Sequence, residues 1–184
     1  MKAFDFIKKH KILFSCLALL CTFLFWPVGK LINPVPSTAP NNFKGSFGNP
    51  WGDHKHRGVD IFAPTGSPIV SVSKGLVIRV IPDDGKYQGG NTVEILGMGG
   101  RVYHYAHMSK ILAKAGSFVN EGDTIGLVGR TGNASRPGCP PHLHFSIVNF
   151  IPHFGNKDVS IFMIDPSKEI DKEKNLKTCN SRSE

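Results

Sequence analysis

The sequence predicts an all-β domain preceded by one membrane-spanning helix, and three observations carry that prediction. Short runs rich in Val, Ile and aromatic residues, separated by Gly, Asp and Asn, fill the body of the chain from about residue 44 to 166. No apolar stripe of helical period crosses them. Ahead of them stands an apolar run from Ile12 to Val28, seventeen residues in a chain of 184.

Lys2, Lys8, Lys9 and Lys11 precede that run, and positive charge on this side predicts an N-terminus held in the cytoplasm and an exported remainder. Its length sits near the lower limit for a helix that crosses a bilayer. The exit, "FWPVGKLINP", lacks the small-residue pattern of a cleavage site. Residues 12–28 are therefore expected to be an uncleaved signal anchor after a basic cytoplasmic segment, 1–11, with a cleaved and secreted form as the alternative. Cys16 and Cys21 read as small apolar residues of the anchor. Residues 29–43, containing "NPVPSTAPNN", are Pro-rich and almost uncharged, which predicts an extended, poorly ordered tether.

The formal net charge of +8 divides into +4 over residues 1–40, +3 over 41–165 and +1 over 166–184. Half of the excess thus lies ahead of the domain. A nucleic-acid-binding surface would concentrate basic residues in the folded part, so no nucleic-acid partner is expected.

Within the domain the strand-like runs are "SPIVSVS", "GLVIRVI", "NTVEIL", "RVYHYAHM", "TIGLVG" and "HLHFSIV". "TGSPIVSVSKGLVIRV" and "AGSFVNEGDTIGLVG" form a weak internal echo, each a Gly-Ser turn leading to a strand, a turn and another strand. Residues 167–184, "SKEIDKEKNLKTCNSRSE", are charged without an apolar stripe and read as a solvated tail with at most a short helix.

Three segments carry side chains suited to a metal. In "PPHLHF", alternation along a strand puts His142 and His144 on one face and Leu143 and Phe145 on the other. An isolated H-x-H is as often a polar strand face as a ligand pair, so the other segments decide. "HKHRGVDIFAP" offers His54, His56 and Asp60. Gly58 interrupts any helix there, so His56 and Asp60 approach a common point from a loop and the strand it enters. "RVYHYAHMS" adds His104 and His107. A catalytic zinc takes three nitrogen, sulfur or carboxylate ligands from the protein and keeps a fourth position open, which His56, Asp60 and one histidine of the pair could satisfy.

His56-x-x-x-Asp60, "YAHM" at 105–108 and "PHLHF" at 141–145 resemble, in the same chain order, the signature segments of the lysostaphin/LytM-type peptidoglycan zinc metalloendopeptidases. The likeness runs from about Phe47 to Pro166. It implies an antiparallel β-sandwich with a duplicated hybrid, barrel-sandwich-like motif, one Zn2+ per chain, and peptidoglycan as the substrate. Carried over by motif, His56, Asp60 and His144 are the implied metal ligands, and His142 and His107 the implied catalytic residues. His142 is assigned as general base, and His107 as a hydrogen-bonding partner of the attacking water or the developing oxyanion; the two could exchange roles.

Several residues fall outside that pattern. Ser146 stands where similar proteins often carry a glutamate. His54 is expected in an exposed loop, His104 on a strand face in the groove wall, and His153 in a surface loop. Export would permit a Cys139–Cys179 disulfide, whereas Cys139 as a zinc ligand is disfavoured by the stiff Pro140-Pro141 that follows it. Two other functional classes are compatible with parts of the pattern. One is a zinc-binding regulator of cell-wall amidases without catalysis of its own; such regulators lose ligands, and this chain keeps them. The other is a carrier or binding module, which would not need five convergent metal-type side chains.

Overall fold

A computed structural model of the chain describes residues 10–24, 26–38, 46–51, 54–149 and 163–170. One α-helix, α1 (Lys11–Leu24), precedes the strands, and the β domain contains β1 (Pro50–Trp51), β2 (His54–Lys55), β3 (Val59–Phe62), β4 (Pro68–Val70), β5 (Gly75–Ile81) and β6 (Thr92–Gly97). It continues with β7 (Arg101–Ala106), β8 (Met108–Ile111), β9 (Phe118–Val119), β10 (Thr124–Val128), β11 (His142–Asn149) and β12 (Met163–Ile164), followed by a single helical turn, α2 (Pro166–Glu169).

Every paired strand is antiparallel. A seven-stranded sheet runs β12-β11-β7-β6-β5-β9, with β3 also on β11, and a three-stranded sheet runs β4-β10-β8. One hydrophobic core joins them. Val77, Ile95, Tyr103, Tyr105, Leu143 and Phe145 enter it from the large sheet, and Ile69, Met108, Ile125 and Val128 from the small one, all fully buried. The Tyr105 hydroxyl accepts the Val72 N–H at 3.0 Å, so its polar end is satisfied at the seam between the sheets. This is the predicted all-β architecture, and the alternation expected for "HLHF" holds: Leu143, Phe145 and Ile147 are fully buried on one face while His142 and His144 look out from the other.

One of the chain's crossings from the large sheet to the small one is made at a single residue. β7 ends at Ala106, β8 begins at Met108, and His107 between them has φ +65°, which among the described residues no other non-glycine adopts with a positive value. A left-handed conformation is costly for a side chain with a Cβ and persists only where neighbours enforce it. Here the His107 N–H donates to the Gly89 carbonyl at 2.8 Å and the Met108 N–H to the Asn91 carbonyl at 3.1 Å, pinning both sides of the corner.

Two expectations about the ends need correction. The membrane-spanning segment over 12–28 is not formed: α1 has 14 residues, about 21 Å at 1.5 Å per residue against a hydrocarbon layer of about 30 Å. Pro27 is the physical reason, since the residue before a proline is pushed out of the helical region and a proline breaks the interior ladder; residues 26–30 are not helical. Among the described residues no helix is long and apolar enough to cross a membrane, so the single-pass anchor, the membrane localisation and the membrane partner drawn from it are not supported. The basic segment is outside the described residues up to position 9.

The Pro-rich stretch also departs from expectation. Leu31, Ile32 and Val35 are buried in the core, the Pro34 carbonyl accepts the Val70 N–H at 2.8 Å, and the side chain of the buried Asn33 accepts the Val35 N–H at 3.0 Å. Leu31 bridges to Ile170, itself 4% exposed, beyond α2. The Asp165 carboxylate caps that turn by accepting the Ser167 N–H at 3.0 Å. Residues 31–35 are thus part of the domain and not a tether. The rest of the tether beyond Thr38, His153 and Cys179 lie outside the described residues.

Candidate metal centre

Strand register brings the first two site residues together. In the β3–β11 pair, Asp60 is the direct partner of His144 and Phe62 of His142. Period-two alternation then points Asp60, His142 and His144 to the same side of the large sheet, away from the core. His56 comes from the short approach to β3, and Gly58 lets that approach run close to β11. A Cβ on Gly58 would lie 2.6 Å from the Phe145 carbonyl oxygen and 2.8 Å from His144 Nε2, so no side chain fits there without displacing backbone.

The donor atoms of the three residues form a small triangle. His56 Nε2 lies 3.3 Å from Asp60 Oδ1, His144 Nδ1 lies 3.0 Å from the same oxygen, and the two ring nitrogens are 3.0 Å apart. The His56 Nδ1–H donates to the Ser46 carbonyl at 2.8 Å; a carbonyl can only accept, so His56 Nε2 presents a lone pair to the triangle in the neutral ring. Two ring nitrogens and a carboxylate oxygen converging at such spacing are placed to share one cation. The donor set of two imidazoles and one carboxylate suits zinc, and donors held at about 2.0–2.1 Å around a tetrahedral ion stand about 3.3 Å apart, close to the observed edges. His56, Asp60 and His144 therefore fit one divalent ion, and they are the group among the described residues that meets the geometry of a metal site.

Electrostatics of the buried cluster follow from the same contacts. Burial favours the neutral Asp60 carboxyl, but hydrogen bonds from His144 and His56 and their positive charge outweigh it and hold the group well below the usual carboxylate range. For His56 burial disfavours the charged ring, yet the bond to Asp60, its charge and the Ser46 carbonyl prevail and raise the pKa. For His144 burial wins and the pKa falls, with the neighbouring His56 and His104 adding to the shift. Ser46 serves both ligands, because its hydroxyl accepts the Asp60 N–H at 3.1 Å while its carbonyl holds His56.

Beside the triangle stand two further imidazoles. The His142 Nδ1–H donates to the Pro140 carbonyl at 2.9 Å, and the His107 Nδ1–H to the Thr131 carbonyl at 3.0 Å. By the carbonyl argument each ring keeps an unprotonated Nε2 when neutral. The rings are 4.9 Å apart, and His142 Nε2 lies 3.9 Å from Asp60 Oδ1. Burial, followed by the charges of His142 and His144, pushes the His107 pKa down to about 4. All five residues singled out in the sequence line one open cleft of about 290 Å³.

The remaining candidates take other places. His104 lies in the cleft wall, its Nδ1 3.1 Å from Glu94 Oε1, which also accepts from Arg79 Nη2 at 2.9 Å. The backbone of His54 belongs to β2, paired with Trp51, and not to a loop. Cys139 reaches the cleft with Sγ 4.0 Å from His142 Nδ1 but is not a member of the donor triangle. Ser46 and Thr131 were not anticipated. Their contacts with the rings are through backbone carbonyls, which any residue type supplies, and their hydroxyls act on backbone groups distant in sequence, so no local side-chain pattern marks them.

Comparison with known proteins agrees with this geometry. The sequence profile of peptidase family M23 matches residues 54–159, more than half of the chain. Peptidoglycan DD-endopeptidase ShyA of Vibrio cholerae is 37% identical over 98 residues, covering 50% of this chain and 20% of the relative. Lysostaphin of Staphylococcus simulans is 34% identical over 111 residues, covering 57% and 21%. The chain thus spans about a fifth of the length of the curated relatives it matches. The crystal structure of the catalytic domain of the antimicrobial peptidase lysostaphin superposes with a TM-score of 0.56 at 30% identity, over 71% of this chain and 96% of that domain.

Proposed function

The chain belongs to peptidase family M23, and from that premise we propose that it is a zinc metalloendopeptidase hydrolysing peptide bonds in peptidoglycan stems or cross-bridges. The observation that carries the reading is the donor triangle of His56, Asp60 and His144 with the rings of His107 and His142 beside it. A regulator without catalysis would need neither His107 nor His142 in the cleft, and a carrier module would need none of the five.

His56 Nε2, Asp60 Oδ1 and His144 Nδ1 would hold the zinc. When bound, the ion lowers the pKa of a coordinated water toward neutrality and polarises a peptide carbonyl. The chain's own residues move the proton and set the geometry. His142 Nε2 takes the proton of the attacking water and delivers it to the departing amine, as an imidazole does best near neutral pH. Its Nδ1–H, held by the Pro140 carbonyl, fixes the tautomer that leaves Nε2 free to accept. His107 is fixed in the same way by Thr131, so its Nε2 accepts a hydrogen bond from water and orients it. Donation to an oxyanion would require a second proton on that ring, which burial and the charges of His142 and His144 disfavour. Asp60 keeps its charge throughout and offsets that of the ion.

The test is digestion of purified peptidoglycan by the zinc-loaded chain, with released fragments identified by mass spectrometry. New amino and carboxyl ends at one peptide linkage, lost on chelation and restored by zinc, are expected. Cleavage of glycan or of the amide between sugar and peptide would overturn the assignment.

A further inference from the structure

Of the five histidines that line the cleft, His104 belongs neither to the donor triangle nor to the pair assigned to the water. It stands on β7 between Tyr103 and Tyr105, both buried in the core, so its ring lies on the outer face of the sheet, the face of Asp60 and His144. Cross-strand partners continue that face. Glu94 lies opposite His104 on β6, Arg79 opposite Glu94 on β5, and Ser146 opposite His104 on β11. This row runs beside the row of Ala106, His144 and Asp60, about 6–7 Å further along the strands.

The row holds the ring in one orientation. His104 Nδ1 lies 3.1 Å from Glu94 Oε1, and Arg79 Nη2 donates to the same oxygen at 2.9 Å. Burial favours the neutral Glu94 carboxyl, yet the hydrogen bonds and charges of His104 and Arg79 outweigh it and hold the group below the usual carboxylate range. An ionised carboxylate only accepts, so Nδ1 carries the proton and, in the neutral ring, Nε2 keeps a lone pair. Little on the same face crowds that nitrogen. Ala106 and Ser146 are small, and the ring of His144 stands edge-on with centroids 6.3 Å apart. A fixed acceptor in the wall beside a metal centre suits the backbone N–H of a bound peptide, a donor that recurs along such a substrate.

We propose that His104 is a specificity-determining residue, whose Nε2 accepts a hydrogen bond from a backbone amide N–H of the peptide about two residues from the bond that is cut. This rests on the peptidase reading above and names the substrate group that the wall recognises. Glu94 and Arg79 act through His104 as positioning residues.

The test is an N-methyl scan. A synthetic stem peptide cross-linked to a second stem is made unmodified and with each backbone amide methylated in turn, which removes one N–H at a time. Binding to the full zinc-loaded chain is followed by stopped-flow anisotropy ahead of turnover, and hydrolysis as kcat and KM. Methylation of one amide away from the cleaved bond is expected to weaken binding and raise KM about three- to tenfold, the size of one neutral hydrogen bond, with kcat little changed. In His104→Phe the unmodified peptide should lose the same factor, and methylating that amide should cost nothing more. Glu94→Gln retains an acceptor for the Nδ1–H and should keep most of the methyl sensitivity, whereas Glu94→Leu should lose it, with zinc content and circular dichroism as in the parent. Equal methylation costs in the parent and His104→Phe at every amide overturn the proposal. So does weakened zinc binding in His104→Phe with the methyl sensitivity intact, which would make the residue a support for His144. Coupled binding without hydrolysis supports the proposal and sinks the peptidase reading, hydrolysis with no coupled amide does the reverse, and no binding of any form overturns both.

Discussion

Asp60, His142 and His144 stand on two paired strands, β3 and β11, whereas the atoms that orient His56, His107 and His142 are carbonyls of Ser46, Thr131 and Pro140 in the connections around them. The floor of the cleft is therefore built by strand register, and its walls by turns that aim rings already in place. The difference separates two jobs. Under the proposed reading, Asp60 and His144 on the floor hold the ion, and the wall carbonyls decide which nitrogen of each imidazole meets the substrate. Variants in the two regions should accordingly fail in different ways.

The largest effect is expected at the floor. Asp60→Ala removes the charge that binds both imidazoles of the triangle, so the purified variant should contain little zinc by elemental analysis and show background peptidoglycan cleavage. Because bound metal stabilises a fold in proportion to its affinity, chelation should lower the melting temperature of the parent and leave that of Asp60→Ala nearly unchanged. Full zinc retention in the variant would remove Asp60 from the ligand set.

Next comes the contrast within one strand. His142 and His144 share a face about 6–7 Å apart along β11, but only His144 belongs to the triangle. His142→Ala should keep its zinc and its fold yet lose at least about 10²-fold in hydrolysis, the lower end for a general acid or base. His144→Ala should lose both metal and activity. The reverse pattern would exchange the two assignments, and near-normal cleavage by both would show that the cleft is not the active site.

This contrast also explains what could be read from the sequence. Period-two alternation exposed the face shared by His142 and His144 because β11 is a regular strand with Leu143 and Phe145 fully buried behind it. Asp60 was legible differently, with His56 across Gly58 in a segment that reads as a loop entering a strand. His107 was found by motif, but its left-handed backbone and corner position were not, since they depend on Gly89 and Asn91 in a distant turn. At the N-terminus, hydropathy counted through Pro27 and overran the helix. Leu31, Ile32 and Val35 were missed because Asn and Pro between them hide any period, while their burial depends on β4 and Ile170.

The walls should give smaller and more selective losses. The Thr131 hydroxyl accepts the Asn91 N–H at 2.9 Å and donates to the Met108 carbonyl at 2.9 Å, so it ties the turn whose carbonyl holds His107 to the corner where His107 sits. Thr131→Val keeps the shape and deletes both bonds. A stability loss of about 1–2 kcal/mol by denaturant unfolding and about tenfold lower kcat with normal zinc content are expected. Zinc loss equal to that of Asp60→Ala would mean that the walls also hold the ion.

Ser46 tests the boundary between the two regions, because it touches both. Its carbonyl is a wall atom and survives any substitution, while its hydroxyl supports the floor by accepting the Asp60 N–H at 3.1 Å. Ser46→Ala therefore removes only the floor contact, and the Asp60 N–H loses a partner in a buried position. Groups of this kind, one bond removed from a ligand, typically change metal affinity by about 10- to 100-fold when deleted, and a neutral backbone contact should lie at the lower end. The expected result is zinc affinity weakened about tenfold in competition with a chelator, with kcat at saturating zinc close to that of the parent because His107 and His142 keep their carbonyl partners. A fall in kcat at saturating zinc, without a change in affinity, would place Ser46 with the walls and break the division between holding the ion and aiming the rings.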